Sequence, residues 1–158
     1  METALLNNEL NLSYPDGFHV MSREELSGFN YYSEAPGWCI NDADRHIMIS
    51  VSWKKIPGIF ARMLKIKDVA KSMEGQMAQV MKAYDYRLDD FISRSPGGKE
   101  AEGFRYQYKV QDNDMTGMSF GVKNKNTFYY IHIYYRSALK EESVPVIEEI
   151  LKSASWAK

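Results

Sequence analysis

The clearest pattern in the chain lies in residues 102–136, where apolar and polar side chains alternate across three consecutive stretches. Successive side chains on a strand point to opposite faces of a sheet, so a period of two predicts strands. In the first stretch Phe104, Tyr106, Tyr108 and Val110 alternate with Arg105, Gln107, Lys109 and Gln111, giving one dry and one wet face. Met118, Phe120 and Val122 repeat the pattern after a turn-rich segment, 111–117, and the stretch 124–126 supplies the next reversal. These first two strands read as ordinary one-sided sheet. The third, TFYYIHIYYR, places Phe128, Tyr130, His132 and Tyr134 on one face and Tyr129, Ile131, Ile133 and Tyr135 on the other. A strand with two such faces belongs in the middle of a sheet, covered on both sides.

Upstream, residues 11–14 and 18–21 predict short strands around Pro15-Asp16-Gly17, where proline fixes φ and glycine tolerates positive φ. A brief helical turn is expected at 22–26, with Ser22 as cap and Glu25 in the capping-box position. Residues 37–41 and 46–54 predict a hairpin whose buried face carries Ile47, Ile49, Val51 and Trp53. From residue 68 to about 84, Val69, Met73, Met77, Val80, Met81 and Tyr84 keep helical spacing on one stripe. Each such side chain, if fully buried, contributes roughly 1.5–3 kcal/mol, enough to hold the helix on a sheet. Residues 86–95 return as a strand and end at Pro96-Gly97-Gly98. A last helix starts near Ser143, with Pro145 in its first turn and Val144, Ile147, Ile150, Leu151 and Ala154 on its apolar side.

Strands and helices in this order define an α+β chain, and 158 residues fit one domain, 1–158, able to bury its own core. A composition of 44% hydrophobic and 26% charged residues is that of a globular protein. The net charge of −1 argues against nucleic acid as a partner, because neutralising a phosphate backbone needs a basic excess. No run is long enough to span a bilayer. The start METALLNNELNL has no basic region followed by an apolar one, which predicts a cytoplasmic protein; a domain processed from a secreted precursor reads the same way.

Four diffuse stretches carry a resemblance: LSYPDGFHV near the start, GFRYQY, NTFYYI after an Asn-rich turn, and VIEEILKSASW at the end. With the order of elements, they make the chain similar to the PsbP-like superfamily, which includes a photosystem II extrinsic protein, a yeast Ran-binding protein and bacterial DcrB-like domains. The resemblance spans nearly the whole chain. It implies a central antiparallel sheet of about six or seven strands flanked by helices, an α/β/α sandwich. It also implies a binding or assembly role, as in chaperones that hold apolar segments, and brings no shared catalytic motif.

The residues offer little chemistry of their own. His19, His46 and His132 lack metal-ligand spacing, and His132 reads either as a hydrogen-bonded histidine inside an aromatic face or as part of a ligand site. Should that face be only partly covered, Phe128, Tyr130, His132 and Tyr134 would line a groove with polar tips. The run from Asp112 to Gly117 opens like a calcium loop but has Lys123 where the twelfth-position glutamate belongs, so it reads as a hairpin turn. Pro96-Gly97-Gly98-Lys99 lacks phosphate-loop spacing, and Asp89 and Asp90 lack a second carboxylate partner. Cys39, the one cysteine, reads as a structural thiol in a strand. No cofactor, metal or catalytic set is expected.

Residues 54–67, KKIPGIFARMLKIK, are the strongest candidate for an interaction. They read as a structured loop because of Pro57-Gly58, and Ile56, Ile59, Phe60, Met63, Leu64 and Ile66 are too apolar for a solvated one. Buried, the loop folds over the sheet edge; exposed, Ile56, Ile59, Phe60, Arg62, Met63 and Leu64 form a contact for a protein partner or an anionic membrane. Nine methionines could make an adaptable surface, although Met73, Met77 and Met81 share the core stripe. The expected function is a non-enzymatic binding or assembly module holding a protein segment or apolar ligand. The alternatives are a small-molecule-binding protein or weak enzyme at Tyr130, His132 and Tyr134, and a homodimer through the loop or an edge strand.

Overall fold

A computed structural model describes residues 1–27 and 36–158 of the chain. Its elements run β1 (Glu2–Leu6), β2 (Leu10–Tyr14), β3 (His19–Val20), α1 (Arg23–Ser27), β4 (Trp38–Asp42), β5 (Ile47–Lys55), α2 (Gly58–Met63) and α3 (Ile66–Val80). There follow β6 (Arg87–Arg94), β7 (Ala101–Val110), β8 (Asn113–Asn124), β9 (Thr127–Arg136), α4 (Lys140–Lys152) and β10 (Ser155–Trp156). Seven strands form one antiparallel sheet in the order β3-β4-β5-β9-β8-β7-β6, and β1, β2 and β10 form a second. The expected α+β class and the seven-stranded sheet are both present, with β9 near its middle.

Turn chemistry sets the register of the meander. β7 and β8 are joined through Gln111 and Asp112, both at positive φ (49° and 64°), between the paired Val110 and Asn113. Two left-handed residues match the twist of the flanking strands. β8 therefore begins inside the stretch 111–117 that the sequence assigned to a turn. Asn7 and Asn8 make a similar reversal between β1 and β2, with φ of 52° and 55°. β1 and β10 escape sequence reading: β1 buries only Leu6, and β10 has two residues. The strand expected at 18–21 shortens to β3.

β8 corrects the reading of a one-sided strand, being buried from Thr116 to Val122 on both faces. Its second face is Gly117, Ser119 and Gly121, small residues that leave no hydrophobic signature. Gly117 lies opposite Tyr106, and a Cβ there would come within 2.3 Å of the Tyr106 ring. Glycine in a strand marks such a close approach. Gly121 lies under Val69 and Met73 of α3, so a bare strand lets the helix settle on the sheet.

Two cores result. On one face, Ile147, Ile150 and Leu151 of α4 and the second sheet cover Ile49, Ile131 and Ile133. On the other, Met73, Met77 and Met81 pack on Phe104, Tyr106, Tyr108 and Tyr134. The predicted stripe runs too far, however. α3 ends at Val80 because Met81 leaves helical geometry (φ −98°, ψ 10°), and a 3-10 turn, Lys82–Tyr84, leads to left-handed Asp85. Val80 and Tyr84 are exposed. α4 starts at Lys140 rather than near Ser143, placing Pro145 inside it, where proline has no N–H to donate to the Glu141 carbonyl. The capping box forms as expected: Glu25 N–H donates to Ser22 Oγ (3.2 Å) and Ser22 N–H to Glu25 Oε1 (2.9 Å).

Candidate functional site

β9 is held between β5 and β8, with Tyr130 opposite Ser52 and Gly121, and His132 opposite Ser50 and Ser119. Its even-numbered side chains share the face on which α3 lies. Phe128 stacks on Tyr130 (6.3 Å, 22°) and His132 on Tyr134 (6.5 Å, 13°). α3 covers this face only in part and divides the four candidates. Tyr134 goes beneath the methionine stripe, whereas Phe128, Tyr130 and His132 border an open cleft of about 650 Å³.

The cleft is completed by residues the sequence did not connect to it. β5 supplies Ser52, Trp53 and Lys54, α3 supplies Asp68, Val69, Ser72, Met73 and Gln76, and Ile56 and Leu64 close it beside α2. Apolar and polar side chains both line it, His132 and Ser52 of the sheet among the polar ones. Past the other end of α3, Tyr134 borders a second cavity of about 720 Å³ with His46, Met81, Tyr84, Tyr108 and Arg136. The stripe residues Val80 and Tyr84 overhang this space instead of joining the core.

His132 is 6% exposed, and its Nδ1 shares a 2.7 Å hydrogen bond with Ser119 Oγ. Burial pushes its pKa down to about 4, so the imidazole is neutral at pH 7. Ser119 has no exposed surface, and its hydroxyl cannot reach a substrate. The pair acts as a polar tie between β8 and β9 and not as nucleophile and base. Sequence reasoning missed Ser119, although the signal exists: a two-residue turn at Lys125-Asn126, with Lys125 at φ 56°, fixes residue 119 opposite 132. Burial also raises the Tyr130 phenol.

Residues 54–67 are not the expected loop. Pro57 precedes a short helix, α2, whose single buried residue is Ala61. Lys123 Nζ donates to the Ala61 carbonyl (2.7 Å) and Ile56 N–H to the Asn126 carbonyl (2.8 Å), pinning the segment to the β8–β9 turn. Ile59, Phe60 and Met63 are 67%, 57% and 72% exposed, and Arg62 and Leu64 are exposed as well. Ile56 is half-buried at the cleft, so the two candidate regions adjoin there.

Cys39, the carboxylates of the turns and of β6, and Lys123 have local structural roles. Cys39 is buried, and desolvation pushes its thiol up to about 12. Asp42 Oδ1 accepts the N–H groups of Asp44 and Arg45 (both 3.1 Å), and Arg105 bonds Asp89 and Asp90. Lys123, at the failed calcium position, is the same residue that caps α2. Among the described residues no group of acids, histidines and cysteine is placed to hold a metal, and no helix is long and apolar enough to cross a membrane.

No family model matches the sequence, and no curated protein does. Solved structures are similar in shape. Cyanobacterial PsbP (CyanoP) from Synechocystis sp. PCC 6803 superposes with a TM-score of 0.73 at 13% identity, over 99% of this chain and 92% of that one. LpqN of Mycobacterium tuberculosis, described as involved in cell envelope biogenesis, gives 0.62 at 12% identity over 94% and 83%. A Bacteroides thetaiotaomicron protein gives 0.57 at 10% identity, over 94% of this chain and 45% of its own. The fold is thus PsbP-like, in agreement with the sequence resemblance. Likeness at these identities speaks to the fold, and a fold does not specify an activity.

Proposed function

We propose that this PsbP-like chain is a non-enzymatic binding module that holds an apolar ligand or apolar protein segment in the cleft between β9 and the first half of α3. The observation that carries this reading is the incomplete cover of the β9 face. Half-buried Tyr130, its ring stacked on buried Phe128, borders a space within the size range of ligand sites, and Ile56 and Leu64 extend the apolar surface to its mouth. Ser119, the hydrogen-bond partner of His132, has no surface open to a substrate, which supports binding over Ser–His catalysis.

Plugging the cleft tests the reading. Ser72 is exposed on α3 and borders the space, so Ser72→Trp fills it without touching the core. The wild type is expected to enhance the fluorescence of N-phenyl-naphthylamine and to bind a labelled leucine-rich peptide in anisotropy titrations. Ser72→Trp should lose both by at least ~10-fold while keeping its circular dichroism, since a filled site forfeits the contacts that give affinity. Equal binding by the two proteins would remove the cleft from consideration. The small-molecule alternative uses the same walls, and is favoured if the probe binds and the peptide does not.

A further inference from the structure

We infer that α2 is a docking element for an anionic bilayer surface, and that it brings the mouth of the cleft to that surface. Helices on a protein surface normally turn their apolar side inward. α2 does the reverse. Ile59, Phe60 and Met63 fall at positions i, i+1 and i+4 and share one side, with Leu64 following at the C-cap, while buried Ala61 lies on the opposite side. The outward side is held in place: Lys123 bonds the Ala61 carbonyl, and Ile56 N–H bonds the Asn126 carbonyl.

The charges around this side decide its occupant. Lys54, Lys55, Arg62, Lys65 and Lys67 are all exposed, and the sequence from His46 to Lys67 contains no Asp or Glu. Among the described residues none of these five cations is in an ion pair. Such a concentration is out of proportion in a chain with a net charge of −1. A second copy of the chain is a poor occupant, because self-association through α2 would bring two unpaired basic clusters together. An anionic bilayer meets both requirements in one plane, with apolar side chains at the acyl boundary and lysines and arginine among the headgroups. With so short a helix, attachment is reversible and depends on salt. Ile56 and Leu64 border the cleft, so docking sets its opening against the lipid.

Co-sedimentation with large vesicles tests this directly. The full chain is expected to bind phosphatidylcholine vesicles containing roughly one-third phosphatidylserine at least ~10-fold more strongly than pure phosphatidylcholine vesicles, and to be released by about 0.5 M salt. Phe60→Asp with Met63→Asp should lose vesicle binding, and Lys54→Ala with Lys55→Ala and Lys65→Ala should weaken it several-fold. All five positions are exposed, so circular dichroism should match wild type. Ser72→Trp should bind vesicles as wild type does, which separates this inference from the cleft reading. No binding, equal binding to neutral vesicles, or wild-type binding by the double aspartate variant would overturn it. Failure on vesicles together with saturable binding of an acidic amphipathic peptide that the double variant loses would assign α2 to a protein partner instead.

Discussion

The two faces of β9 differ less in residue type than in what covers them. Tyr129, Ile131, Ile133 and Tyr135 lie almost without exposure beneath α4 and the second sheet. Phe128, Tyr130, His132 and Tyr134 alternate with them on the opposite face, where α3 crosses over Gly121 of β8 and leaves a cleft at either end. One face is scaffold. The other is buried too, apart from half-buried Tyr130, but open clefts flank it, and substitutions on the two faces should separate stability from binding.

The largest effect is expected on the sealed face. Ile133→Ala empties a site with no exposed surface and should cost roughly 4 kcal/mol in urea unfolding, since the closed core cannot collapse around the gap. A cost below about 1 kcal/mol would show that this face is looser than described. The next effect is on the α3 face and depends on pH. His132 has a folded pKa near 4 against an ordinary value of 6.5, so between those values the unfolded chain binds the extra proton. Stability should therefore fall as pH drops from about 6.5 to 4, by roughly 3 kcal/mol from this group. His132→Asn keeps a partner for Ser119 and should flatten that part of the profile; an unchanged difference between pH 7 and pH 4 would count against a buried neutral histidine.

Gly117→Ala sharpens the comparison at the strand that lets α3 approach. The added Cβ meets the Tyr106 ring, and the cost should be roughly 2 kcal/mol by denaturant titration. The smallest stability effects belong to the proposed contact surfaces. Ser72→Trp and the Phe60→Asp, Met63→Asp pair change exposed side chains and should each stay within about 0.5 kcal/mol of wild type, though each removes one binding activity. A melting temperature lowered by many degrees would mean that α2 or the cleft rim is part of the core.

How much of this was legible in the sequence follows from side-chain size. β9 announces its place because both faces carry large side chains. β8 is equally buried yet reads as one-sided, since Gly117, Ser119 and Gly121 are chosen for their lack of bulk. α2 was hidden by Pro57 and Gly58, which read as breakers, although proline at a helix entry costs nothing in hydrogen bonds. The exposure of Phe60 and Met63 is a tertiary fact: their hydrophobicity is plain in the sequence, their outward direction is not. The aromatic quartet of β9 was visible as a set, but its division by α3 depends on where the helix crosses the sheet, a distance no local pattern records.

The central claim is that the α3 face of β9 binds and the α4 face does not. Its most direct test is an amide-correlation NMR titration of the 18.3 kDa chain with the leucine-rich peptide or the naphthylamine probe. The account predicts shifts at Ser52, Leu64, Val69, Ser72, Gln76, Tyr130 and His132, with Ile147, Ile150 and Leu151 of α4 unmoved. Saturable binding that shifts α4 while leaving Ser72 and Tyr130 in place would contradict it.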